Sequence, residues 1–208
     1  LMWLGGRVAM LPTGGATIDR IVRAVLREQA THVLLVPTLL RQLMAAPEAL
    51  EQLRHSRLRR IFTGGEMVPP AVMAAVNAEL PGCRVIQIYG MSEFPLMMTI
   101  LEAEIGLAHP ERTGRASSIV TLGVRQSDGR IVDVGNGEVV LRSPATMLRY
   151  HDRPEATEDA LRDGWFHTGD TGSIDDEGYL TLSGRAKDMI IRGGMIIARS
   201  EGHTFELQ

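Results

Sequence analysis

"HVLLVPTLLRQLMAA", residues 32–46, changes its periodicity at a single proline. His32 to Val36 is a nearly continuous apolar run, the pattern of a short strand buried on both faces. Pro37 breaks it, and "TLLRQLMAA" (38–46) reads as a helix. The alternation extends in both directions. Upstream, "RVAML" (7–11) reads as a strand. "TIDRIVRAVLREQ" (17–29) then sets Ile18, Ile21, Val22, Val25 and Leu26 on one helix face, with Thr17 as its N-cap. Downstream come a strand "RRIF" (59–62), a helix "PPAVMAAVNAEL" (69–80) opened by proline, and a strand "RVIQIY" (84–89). Repeated strand-helix units predict an α/β fold, part of a doubly wound, mainly parallel sheet.

Near Ala108 the texture changes. Glycine and charge recur from 110 to 183, and long helical periodicity fades. "IVTLGVRQ" (119–126), "GRIVDV" (129–134), "GEVVLRS" (137–143) and "GYLTLSG" (178–184) read as strands, with "SDG" (127–129) and "GNG" (135–137) as tight turns. "HDRPEATEDALRD" (151–163) reads as a loop and a short helix begun by Pro154. These features predict a small antiparallel β subdomain, a partial barrel. From Gly184 the chain reads as the entrance to a C-terminal α+β domain. The expected division is therefore 1–107, 108–183 and 184–208.

Composition narrows the function. The 208 residues are 44% hydrophobic and 23% charged, the balance of a globular protein, with only 4% aromatic. Leu, Ile, Val, Ala and eleven methionines must build the core. A net charge of −3 without a basic block argues against nucleic-acid binding. Cys83 is the only cysteine, so no internal disulfide or cysteine metal site forms, which fits a reducing, cytoplasmic setting. No apolar run approaches the roughly 18 residues that suggest a transmembrane helix. No basic, apolar signal peptide opens the chain.

Three stretches carry chemistry, each with a bland alternative. In "FTGGEMV" (62–68), Gly64 and Gly65 end a strand where ligands of parallel sheets sit; bare backbone there admits a flat ring, or simply makes a turn. In "QIYGMSE" (87–93), Tyr89 ends a strand and Gly90 opens the turn. Ser92 and Glu93 then offer a hydroxyl and a carboxylate, suited to a phosphate and its Mg²⁺ or to a helix cap. In "GWFHTGDTG" (164–172), which reads as neither helix nor clean strand, glycines fix Asp170. Its carboxylate accepts two hydrogen bonds, from a ribose or from its own turn.

Taken together, these stretches resemble the adenylate-forming superfamily of acyl-CoA synthetases, luciferase and peptide-synthetase adenylation domains. The resemblance runs in order through "GGE" (64–66), "YGMSE" (89–93), "GEVVLRSPATMLRYHDRPEAT" (137–157), "GWFHTGDTGSIDDEGYL" (164–180) and "GRAKDMIIRGG" (184–194). It implies adenine between Gly64-Gly65-Glu66 and Tyr89, with Gln87 where an Asn often meets the adenine amino group. It implies a catalytic pair in which Ser92 contacts phosphate and Glu93 binds Mg²⁺. Asp170 would grip the ribose, helped by Arg185, and Lys187 would be the hinge. "VPTLL" (36–40) would line the acyl pocket. The implied co-substrates are ATP, a small-molecule carboxylic acid and coenzyme A.

There are departures. Arg149 replaces the usual glycine before Tyr150, and "MIIARSEGHTFELQ" (195–208) loses the Asn and Pro that follow the hinge segment in the family. Neither the family's phosphate loop nor its C-terminal catalytic lysine has a match. The sequence is thus expected to be a fragment that does not complete adenylation alone. Two further readings stand beside a free acyl-CoA ligase: an adenylation domain that loads a carrier-protein thiol, and a non-catalytic nucleotide-binding fragment.

Overall fold

A computed structural model describes residues 5–11, 15–185, 189–192 and 195–198. Two compact units divide it. Leu1–Ile88 and Leu101–Pro110 make the first; Tyr89–Ile100 and Glu111–Gln208 make the second.

In the first unit, β1 (His32–Leu34), β2 (Arg60–Gly64) and β3 (Arg84–Met91, whose last three residues belong to the second unit) run parallel, with Ile61 opposite Val85 and Gly64 opposite Ile88. Around them lie α1 (Ile18–Arg27), α2 (Pro37–Met44), α3 (Pro47–Arg54), α4 (Pro70–Glu79) and α5 (Ala103–Ala108). Thr17 caps α1 as its composition predicts: the backbone is extended and the hydroxyl accepts from the Arg20 N–H at 3.4 Å. Proline begins α2, α3 and α4, where its missing N–H costs nothing. The helical run at 38–46 is interrupted before Pro47, which starts a separate helix. Leu35, Leu40, Leu43, Ile61, Val76 and Val85 form the dry centre of the core. Arg7 to Leu11, expected as a strand, has no regular structure and is exposed. No described strand pairs with it, and an unpaired strand leaves its backbone groups unsatisfied.

In the second unit the strands are β4 (Phe94–Glu102, whose last two residues belong to the first unit), β5 (Gly114–Ala116), β6 (Thr121–Arg125), β7 (Ile131–Val132) and β8 (Gly135–Arg142). After α6 (Pro154–Ala160) come β9 (Leu161–Arg162), β10 (Trp165–Ile174) and β11 (Tyr179–Arg185). They follow the order β4-β5-β11-β10-β8-β6-β7, with β9 on the end of β10. Pairing is antiparallel throughout, as the sequence texture predicts. β12 (Met189–Arg192) and β13 (Met195–Ala198) form a separate antiparallel pair. Phe94, Met98, Leu141 and Phe166 fill one core cluster; Val124, Val139, Ile174 and Leu180 fill another.

Three local expectations are corrected. "GNG" is the start of β8 rather than a turn, and a Cβ on Gly137 would stand 2.1 Å from the Arg125 carbonyl oxygen. β3 continues through Tyr89 and Gly90 to Met91, so the turn falls at Ser92-Glu93. "GWFHTGDTG" lies almost wholly in one long strand, β10, whose irregularity is a bulge.

Candidate functional site

The bulge in β10 makes the site. Pairing with β8 joins His167 to Val140 and resumes with Thr171 opposite Glu138. Thr168, Gly169 and Asp170 therefore face Val139 alone. Gly169 takes φ +71°, a left-handed conformation that glycine adopts without a Cβ clash. The Thr168 hydroxyl replaces the interrupted ladder. It donates to the Val139 carbonyl at 2.8 Å and accepts from the Asp170 N–H at 3.0 Å. Bulges re-aim side chains, and this one turns Asp170 inward until only 3% of it is exposed.

That buried carboxylate is held from two sides. Tyr89 donates its hydroxyl to Oδ2 in a short hydrogen bond. Arg185, its register partner on β11, places Nε 2.5 Å from Oδ1. This ion pair balances the charge of the buried carboxylate. Burial, and then the charge and hydrogen bond of Asp170, push the Tyr89 phenol well above its ordinary value. The phenol thus stays a neutral donor at physiological pH. A carboxylate offers about four acceptor positions. Here Tyr89 takes one oxygen and Arg185 faces the other, so the carboxylate is preorganised and charge-compensated.

Glu93 occupies the turn after β3. Its Oε1 accepts from the Tyr150 hydroxyl at 2.8 Å, and its backbone carbonyl accepts from the Met147 N–H at 2.8 Å. Tyr150 is anchored in turn by Thr157, whose hydroxyl accepts from the Tyr150 N–H at 3.0 Å. Burial and Glu93 push the Tyr150 phenol up to about 12. Ser92 and Gly90 are exposed beside Glu93. Among the described residues no three His, Cys, Asp or Glu side chains gather as a metal site. A single carboxylate plus phosphate oxygens is nevertheless a usual way to hold Mg²⁺ on a nucleotide. Glu93 fits that role and not a stand-alone cation site.

In the first unit, β2 ends at Gly64, and Gly65 has φ +91°. A Cβ on Gly64 would meet the Ile88 carbonyl oxygen at 2.4 Å, so the close approach of β2 and β3 requires glycine. Glu66 pairs with Arg41 at 3.3 Å. Gln87 is buried, and its side chain binds this loop: Oε1 accepts from the Val68 N–H at 3.2 Å and Nε2 lies 3.7 Å from the Met67 sulfur. Of the "VPTLL" residues, Pro37 and Leu40 are buried, Leu40 in the hydrophobic core. Lys187 lies outside the described residues.

Sequence reasoning thus placed Tyr89, Asp170 and Arg185, which the structure brings together. It missed the partners Thr168 and Tyr150. Thr168 had a readable signal in its position two residues before Asp170. Tyr150 stands 57 positions from Glu93, and no local pattern announces that contact.

Residues 1–151 match the AMP-binding enzyme family. Over 162 residues the chain is 43% identical to the long-chain-fatty-acid–CoA ligase FadD13 of Mycobacterium tuberculosis, covering 76% of this chain and 31% of that protein. It is 34% identical to the indoleacetate–CoA ligase of Aromatoleum aromaticum, covering 95% of this chain and 38% of that one. Among solved structures, the inhibitor-bound N-terminal domain of FACL13 from Mycobacterium tuberculosis superposes with a TM-score of 0.75 at 34% identity, over 82% of this chain and 42% of that chain. The chain belongs to the AMP-binding enzyme family, and its fold is the mixed α/β fold of that family's N-terminal domain. It spans about a third of the length of these curated relatives.

Proposed function

We propose that the chain carries the adenylate-binding part of an ATP-dependent acyl-CoA ligase. The observation that supports this reading is the Asp170 carboxylate, buried in its bulge and held in place by Tyr89 and Arg185. In this reading Asp170 accepts from the two ribose hydroxyls and Arg185 balances its charge. Gly64, Gly65, Glu66, Gln87 and Tyr89 are the adenine-binding residues, with Gly90 in the strand that carries Tyr89. Ser92 contacts phosphate.

The reaction has two steps. A carboxylate oxygen attacks the α-phosphorus of ATP, and pyrophosphate leaves. The thiol sulfur of coenzyme A then attacks the acyl carbon; the thiol loses its proton and AMP departs. Negative charge builds on the phosphate in the first step, where positioned donors and cations lower the barrier. Glu93 would hold Mg²⁺, which supplies Lewis-acid stabilisation of that charge. Coenzyme A is favoured over a carrier-protein thiol because the relatives named above are CoA ligases.

The test is calorimetric titration of the chain with AMP and with a non-hydrolysable acyl-sulfamoyl adenosine. Asp170→Ala removes two hydrogen bonds to a charged acceptor, each worth about 1.5–3 kcal/mol. Affinity for both ligands should fall at least about 100-fold. An unchanged affinity in a folded variant, or no binding by the parent chain, would favour a scaffold role instead.

A further inference from the structure

The buried histidine beside the bulge has no part in the mechanism above. His167 is the last residue of β10 paired with β8 before the bulge, and Glu138 is the β8 residue opposite Thr171, the first residue paired after it. The imidazole Nδ1 stands 3.0 Å from Glu138 Oε2, and the His167 side chain is only 2% exposed. A carboxylate can only accept, so Nδ1 carries the proton. This one side-chain bond therefore runs diagonally across the bulge and joins its two ends. Arg162 also faces Glu138, with Nη2 3.6 Å from the same oxygen, and Arg125 is its register neighbour on β6.

The other ring nitrogen makes the choice of residue informative. Nε2 is buried and has no hydrogen-bond partner among the described residues. Burying a polar atom unpaired is costly, and an apolar side chain of similar size would avoid it. The bond to Glu138 is what a histidine supplies here and a leucine does not.

We infer that His167 and Glu138 form a clamp across the β10 bulge, making His167 a positioning residue for Asp170; this rests on the reading of Asp170 as the ribose acceptor. With Gly169 at its centre, the bulge has little intrinsic stiffness. Thr168 secures its middle through the Val139 carbonyl, and the clamp fixes its ends. A displacement of about 1 Å at a positioned group is enough to cost up to 100-fold in function.

The full chain tests this with two measurements on His167→Leu and His167→Asn. The leucine keeps bulk and removes the donor. The asparagine amide reproduces a donor near Nδ1. Hydrogen exchange should show the Asp170 amide, protected by Thr168, opening about tenfold faster in His167→Leu while amides of β6 are unchanged. AMP affinity should fall about tenfold in the same variant, recover in His167→Asn, and show no further loss when combined with Asp170→Ala. If His167→Leu does not fold, Glu138→Met breaks the same bond from the other side. Unchanged exchange at Asp170 overturns the clamp. Faster exchange with unchanged AMP affinity overturns the positioning role, provided Asp170→Ala alone weakens AMP. If Asp170→Ala has no effect, the ribose reading fails and the positioning role with it, while the exchange data still report separately on the clamp.

Discussion

Replacing Tyr89 by phenylalanine deletes one hydroxyl and nothing else. That hydroxyl donates to the buried Asp170 carboxylate. A hydrogen bond to a charged group contributes about 1.5–3 kcal/mol, so the variant should be less stable by that amount at pH 8. A second, pH-dependent signature follows from the raised phenol. The ordinary tyrosine value is 10.0, and burial together with Asp170 keeps Tyr89 protonated far above it. A group whose folded value is raised contributes stability that is complete below its unfolded value and is lost as pH climbs towards its folded value. Between pH 8 and pH 11 the unfolded phenol ionises while the folded one does not. The wild-type chain should therefore lose at most about 1.4 kcal/mol through this residue. Phenylalanine has no proton to lose, so the gap between variant and wild type should narrow by that amount. Urea unfolding of both chains at pH 8, 9, 10 and 11, followed by circular dichroism, measures it. Two stability curves that stay parallel across the series would refute the account of Tyr89 as a neutral donor locked on Asp170.

Two other substitutions probe the frame. In Gly137→Ala the new methyl would stand 2.1 Å from the Arg125 carbonyl oxygen and 2.7 Å from its carbon, both backbone. β6 and β8 must separate, and the urea midpoint should drop by the equivalent of about 1–3 kcal/mol or more. In Tyr150→Phe the bond to Glu93 is lost. An ultraviolet phenolate titration should lose its component at about 12, while the half-buried position of Tyr150 limits the change in stability to about 1.5 kcal/mol or less.

The legible part of the fold was the part governed by local pattern. Strand-helix alternation up to residue 89, and antiparallel texture beyond 110, are both properties of short windows. The errors share a cause. "RVAML" has strand composition, but a strand exists only where another pairs with it. "GNG" has turn composition, but Gly137 is required by the backbone of Arg125 across the sheet. "GWFHTGD" looked irregular because a bulge breaks the period of two inside a regular strand. In the site, the residue types that accept, donate and carry charge were readable, and the pairing of Tyr89 with Asp170 across 81 positions was not. Nor did any local signal connect His167 with Glu138, since strand register alone brings them together.

The state of Asp170 also bears on why a carboxylate is there. After desolvation, a buried ion pair contributes little to stability, and an apolar replacement of similar volume is often neutral or better. Asp170 is almost wholly buried, whereas Arg185 keeps 22% of its side chain exposed and remains partly hydrated. The ion pair therefore adds little to the fold beyond the Tyr89 hydrogen bond. The bulge, the glycine at φ +71° and the threonine that mends the ladder together fix the position of one buried carboxylate. Under the proposed function, a ribose brings the donors to it. For the triple change Asp170→Leu, Arg185→Met and Tyr89→Phe, which leaves no polar partner behind, the loss in AMP affinity should accordingly exceed the loss in unfolding free energy. The reverse order would mean that the carboxylate is there for the sheet and not for a ribose.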